Sequence, residues 1–143
     1  ERDYLSDLAE RRNLEDKIFF LGRTGNLHDW YERADLFVLN SKVEGFPNSL
    51  LEAMSYGVPC ISTDCATGPR EIIEDAVNGI LIPVENNEHD LERAMTVLME
   101  NQDTRFKISS NAIKTSEIYS VNKIGKRWDD LIDIIVKSNE SKV

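Results

Sequence analysis

Glu44 and Glu52 stand eight positions apart, with Gly45-Phe46-Pro47-Asn48-Ser49 opening the stretch between them. These are the residue types and the spacing in this chain that suit chemistry. The sequence predicts a loop carrying Glu44, a helix that opens near Asn48 or Ser49 with Glu52 in its first turn, and an end to that helix at Gly57, where a residue without Cβ turns left-handed. A loop that runs into a helix N-terminus points free backbone N–H groups and the positive end of the dipole into the space above it, which suits a phosphate. The N–H groups of Asn48, Ser49 and Leu50 are the candidate donors. Two carboxylates flank that anion site, and carboxylates accept hydrogen bonds from hydroxyls. A diphosphate held beside acceptors for sugar hydroxyls is the chemistry of a nucleotide-sugar pocket.

Each of these residues has a plainer reading beside it. Glu44 is either a solvated loop carboxylate or a ligand acceptor. Gly45 lets backbone approach a ligand closely, because a Cβ there would collide with it. Phe46 either closes the wall of a pocket or simply packs, and Pro47 leads into the helix. Ser49-Leu50-Leu51-Glu52 matches a capping box, in which Glu52 reaches back to the Ser49 N–H, so that one carboxylate caps and binds only by using different oxygens. The side chains of Leu50 and Leu51 read as core. Arg23 and Thr24, after Gly22, suit the vicinity of a base or a phosphate, or else an ordinary polar loop. Arg70 and Glu71 open a helix behind Pro69, where an acid favours the dipole, and are read as structural first.

The totals narrow the classes. A chain of 143 residues supports about one domain with a single core. Net charge is −9, from 26 acidic and 17 basic residues, and no Lys/Arg stripe forms, which argues against nucleic acid as a partner. No apolar run reaches the roughly 18 residues of a membrane span. The two cysteines, Cys60 and Cys65, have no His or further Cys at ligand spacing, so neither a metal site nor a disulfide is expected. They suit a reducing cytosol, and a cytoplasmic location is expected, or one peripheral to the inner face of a membrane.

The elements that must position the site follow from apolar periodicity. Helices are predicted over Glu1 to Arg12, from an Asn26 cap through about Ala34 with Leu27, Trp30 and Tyr31 inward, over the Leu91 to Met99 repeat, over Asp103 to Tyr119 with Phe106 and Ile113 inward, and from Val121 to Ile135 with Trp128 as core anchor. Lys137 to Val143 reads as a frayed tail. Short apolar strands are predicted at Ile18 to Leu21, Leu36 to Leu39, Val58 to Thr63 and Ile80 to Ile82, with a turn at Asn78-Gly79. Alternating strands and helices predict an α/β fold, a Rossmann-like parallel sheet with helices on both faces, and ligands beyond the carboxyl ends of the strands. Neither a GxGxxG nor a Walker A loop is present.

Glu44-Gly-Phe-Pro-Asn-Ser-Leu-Leu-Glu52, followed by Ala53-Met54 and Gly57-Val58-Pro59, resembles the E-x7-E signature of the family-four retaining glycosyltransferases of GT-B fold. Asp16 to Gly22, Tyr31 with Ala34 to Val38, Gly68 to Ile72 and Asn78-Gly79 extend the resemblance in order over about the first hundred residues. It implies transfer of a hexose or N-acetylhexosamine from a nucleoside diphosphate, with a leaning to UDP, to a glycan, lipid-linked or small-molecule acceptor with retention. It gives Glu44 the donor-sugar hydroxyls and Glu52 the nucleotide ribose, with no settled protein nucleophile and no obligatory metal. The alternatives are a nucleotide-sugar-binding module without turnover, and a glycoside hydrolase using Glu44 and Glu52 as a pair. The family also carries an Arg and a Lys on an earlier strand-loop unit and an N-terminal acceptor domain. Residues 1–143 are therefore expected to form the greater part of a donor-binding domain, inactive alone, with an apolar sheet edge that rearranges or pairs with another copy.

Overall fold

A computed structural model describes residues 1–140. The chain divides into two compact units, Glu1–Trp30 and a second from Tyr31 onward. In the first, α1 (Arg2–Arg11) closes with the Arg12 N–H on the carbonyls of Leu8 and Ala9. The strand expected at Ile18 to Leu21 is not formed. No ladder partner faces it among the described residues, Phe19 is 72% exposed, and its backbone is anchored by the Ile18 N–H on Leu14 O at 3.0 Å and by the Arg2 guanidinium on the Phe20 carbonyl at 2.7 Å. An apolar run becomes a strand only by pairing. The helix expected from Asn26 to Ala34 is a single turn, α2 (His28–Tyr31). Asn26 does not cap it through a backbone bond but donates to the Asp29 carboxylate at 2.9 Å. Of the three inward residues expected there, only Tyr31 is buried.

The second unit is built on three parallel strands, β1 (Phe37–Leu39), β2 (Cys60–Thr63) and β3 (Ile80–Ile82), in that spatial order. Phe37 pairs with Cys60 and Ile61 with Ile80, so all three carboxyl ends point the same way. Every residue of the central strand β2 is buried, and its alternation divides the core. Cys60 joins Leu50, Ala53 and Met54 of α3 (Asn48–Ser55) together with Ala112 of α6 (Gln102–Ile118). Ile61 joins Ala94 and Leu98 of α5 (Glu88–Glu100) together with Ile108. Helices thus cover both faces, as expected.

The end of α3 follows the sequence closely. Gly57 takes φ +72, its N–H donates to Met54 O at 3.0 Å, and the Val58 N–H donates to Ala53 O at 3.1 Å, the paired bonds of a Schellman motif. Past α4 (Pro69–Ile72), the buried Asn78 fixes the turn into β3. Its amide donates to Ile72 O and Thr115 Oγ1, and its Oδ1 accepts from the Glu74 N–H at 2.8 Å.

Three inward assignments are corrected. In α6, Phe106 is 74% exposed and Ile113 partly so, while Ile108 and Ala112, four apart, face the core. Trp128 is no core anchor. It lies on α7 (Val121–Glu140), at 62% exposure, in a helix whose apolar residues are mostly uncovered within this unit. That helix continues through Lys137 to Glu140, where a frayed tail was expected; residues 141–143 lie outside the described ones. No helix among the described residues is long and apolar enough to cross a membrane.

Two buried acids tie stability to alkaline pH. Burial, followed by the negative charge of Glu52, pushes Tyr31 from 10.0 up to about 12, and burial alone pushes the Cys60 thiol from 9.0 to about 12. Both raised groups keep their protons in the folded state while the unfolded chain loses them, so their contribution is whole below pH 9 and is lost as pH rises toward 12. A melting temperature that holds level to about pH 9 and then declines is expected. Tyr31→Phe should flatten the part of that decline above pH 10.

Candidate functional site

The loops after β1 and β2 meet at the carboxyl ends of the strands, and they meet through the main chain. Thr63, the last residue of β2, donates its hydroxyl to the Ser41 carbonyl, with Leu39 O at 3.3 Å, and the Cys65 thiol donates to the same Ser41 carbonyl at 3.1 Å. Thr67 Oγ1 donates to Glu44 O at 2.6 Å. Gly68, at φ +93, packs so closely that a Cβ on it would lie 2.5 Å from Gly45 O and 2.9 Å from Pro47 Cδ. The loop after β3 joins through Asn87, whose amide donates to Asn40 Oδ1 at 2.8 Å and to Pro83 O at 2.9 Å.

On this frame Glu44 is half-buried, and among the described residues its carboxylate has no hydrogen-bond or ionic partner in the protein. Gly45 is exposed, and no protein atom lies within 4 Å of where its Cβ would be. Phe46 is half-exposed and rests against Tyr119, with ring centroids 5.7 Å apart, while the Tyr119 hydroxyl donates to Glu71 O at 2.8 Å.

The helix head differs from expectation. Pro47 is the N-cap of α3, so the helix starts at Asn48 and Glu52 falls fifth, beyond the first turn. The Ser49–Glu52 capping box is therefore not made. Glu52 instead accepts from the Tyr31 hydroxyl at 3.3 Å, whose oxygen also lies 3.4 Å from Ser49 O. Of the three candidate phosphate donors, Asn48 N–H is turned to Phe46 O and Leu50 N–H to Pro47 O, both at 3.0 Å, and Ser49 N–H has no protein acceptor among the described residues. The side-chain half of a capping box stands at α4, with a backbone turn bond in place of the other half. There the Gly68 N–H donates to Glu71 Oε1 at 3.3 Å and the Glu71 N–H donates to Gly68 O at 3.0 Å. Arg70 is held bidentate on Asp64 at 2.8 Å for both bonds. Both residues of the Arg70–Glu71 pair thus make protein bonds, which fits the structural reading placed first from sequence.

The second unit therefore brings Glu44, Gly45, Phe46, Pro47, Asn48, Ser49, Leu50 and Glu52 to one place above the sheet. Leu50 is fully buried and lends its backbone only. Arg23 and Thr24 belong to the first unit, in the bend after Gly22. Sequence reasoning missed Tyr31 and Thr67 as supports. Tyr31 carried a signal, since a hydroxyl on the inner face of a helix must find a partner. Thr67 carried none, because its acceptor is a carbonyl 23 residues away.

Residues 1–115 match the family described as glycosyl transferases group 1. An uncharacterized glycosyltransferase of Haemophilus influenzae is 29% identical over 92% of this chain and 37% of its own length. A poly(glycerol-phosphate) alpha-glucosyltransferase of Bacillus subtilis is 34% identical over 83% of this chain and 18% of its own. The chain thus spans less than two-fifths of the length of these relatives. Among solved structures, Anabaena HepE in complex with UDP and glucose superposes with a TM-score of 0.81, at 26% identity over 93% of this chain and 37% of that one. A mutant TarM of S. aureus in complex with fondaparinux, alpha-GlcNAc-glycerol and UDP gives 0.80, at 32% identity over 90% and 26%. Sequence and fold agree over the same stretch that builds the sheet and its loops, and the chain belongs to the group 1 glycosyl transferases, with the GT-B fold.

Proposed function

We propose that this chain is the donor-binding part of a retaining glycosyltransferase that transfers a hexose or N-acetylhexosamine from a UDP-sugar to a glycan, lipid-linked or small-molecule acceptor. The observation that carries this reading is the half-buried Glu44 carboxylate, without a protein partner among the described residues, on the loop that ends at the head of α3. Glu44 accepts from hydroxyls of the donor sugar, and Gly45 leaves space for the ring. Phe46, backed by Tyr119, forms the wall. The Ser49 N–H and the dipole of α3 face the diphosphate, where negative charge grows as the sugar departs; donors fixed in advance cost no rearrangement at that moment. In this reading the leaving diphosphate draws the acceptor hydroxyl to the same face, and no metal is needed. Glu52, oriented by Tyr31, accepts from the ribose. A hydrolase would need two carboxyls facing each other across an open cleft, whereas the Glu52 carboxylate is turned to the Tyr31 hydroxyl.

Calorimetric titration with UDP, UDP-glucose and UDP-N-acetylglucosamine tests the reading. Binding of UDP is expected, weakened about tenfold by Glu52→Ala, the worth of one or two hydrogen bonds to an exposed carboxylate. Absence of UDP binding by a chain shown to be folded by circular dichroism would count against it.

A further inference from the structure

We infer that Thr67 is a positioning residue for Glu44: its hydroxyl fixes the Glu44 carbonyl and thereby aims the carboxylate of the same residue at the donor sugar. The inference rests on the reading of Glu44 given above. Because the Glu44 carboxylate has no hydrogen-bond or ionic partner among the described residues, no polar contact of its own aims it, and its direction depends on the main chain that carries it. The Glu44 carbonyl belongs to the peptide that joins it to Gly45, a residue with no side chain to pack and with no atom beyond its chain neighbours within 4 Å of the missing Cβ. The neighbouring carbonyls are constrained elsewhere, Ser41 O by Thr63 and Cys65, and Gly45 O by its contact with Gly68. The peptide between Glu44 and Gly45 has one restraint, the 2.6 Å bond from Thr67 Oγ1. Thr67 is itself exposed, so its methyl and hydroxyl are not needed to fill the core.

The test is the ratio of affinities for UDP-sugar and UDP, using whichever of UDP-glucose and UDP-N-acetylglucosamine binds the unsubstituted chain more tightly. Thr67→Val, which keeps the shape and removes the hydroxyl, is expected to lower that ratio about fivefold, the worth of one hydrogen bond, with UDP affinity and melting temperature unchanged. Thr67→Ser should restore the ratio. A role limited to tying two loops together would lower both affinities equally or shift the melting temperature alone, and either result overturns the inference, as does a serine variant that behaves like valine. An unsubstituted chain that fails to bind UDP overturns the proposed function itself. One that binds UDP but gains nothing from the sugar overturns the assignment of Glu44 and this inference with it.

Discussion

Alanine in place of Gly68 is expected to lower stability by about 2 to 5 kcal/mol, a large share of the total for a domain of this size. Two costs add. A residue with a Cβ at φ +93 is strained by roughly 1 to 2 kcal/mol, and the new methyl would sit 2.5 Å from Gly45 O and 2.9 Å from Pro47 Cδ. Those neighbours are a backbone carbonyl and a proline ring, which yield only if the two loops separate, at an overpacking cost of about 1 to 3 kcal/mol. Gly57→Ala is the control. Its φ of +72 carries a similar strain, but its Cβ would meet the Ile113 Cδ1 at 3.0 Å and Ser109 Oγ at 3.1 Å, ends of side chains that can rotate away. A loss of about 1 to 2 kcal/mol is expected there. Urea denaturation of the two variants beside the unsubstituted chain measures both, and equal losses would mean that the loops do not approach as described.

The second large effect is on ligand and not on fold. Glu44→Ala should weaken binding of a UDP-sugar about a hundredfold while leaving UDP affinity and melting temperature in place. Two hydrogen bonds from hydroxyls to a half-buried carboxylate account for a factor of that size. Gly45→Ala should separate binding from stability from the other side. Its backbone lies outside the left-handed region and no protein atom meets the new Cβ, so the melting temperature should hold. The methyl would occupy the space assigned to the sugar, and UDP-sugar affinity should fall alone. If Glu44→Ala weakened UDP and UDP-sugar equally, the carboxylate would not be on the sugar.

The legible parts of this fold are those in which local preference and tertiary demand agree. Phe37–Leu39, Cys60–Thr63 and Ile80–Ile82 are short apolar runs, mostly rich in β-branched residues, that find parallel partners, and α5 announces itself by its apolar repeat. Ile18 to Leu21 reads the same way yet stays unpaired among the described residues, because a run of side chains does not specify a neighbouring strand. In α6, Phe106, Ile108, Ile113 and Ile118 are spread around the helix, and composition does not say which stripe turns inward. At the site the E-x7-E pair and its loop were visible. What was not visible is the register at the helix head: Pro47 caps α3 two residues early for a Ser49–Glu52 box, which frees Glu52 for Tyr31. The half box that does form begins at Gly68, which has no side chain for a capping pattern to detect.

The Glu44 loop is secured by what every residue has. Thr63, Cys65 and Thr67 hold the carbonyls of Leu39, Ser41 and Glu44, Gly68 packs against that of Gly45, and none of these contacts uses a side chain of the loop itself. Lys42 and Val43 are exposed, and the half-exposed Phe46 ring rests against Tyr119. Their identities can change without releasing the frame. In evolutionary terms the loop is a replaceable cartridge, in which the side chains at Lys42, Val43 and Phe46 are free to vary while the geometry of the socket persists.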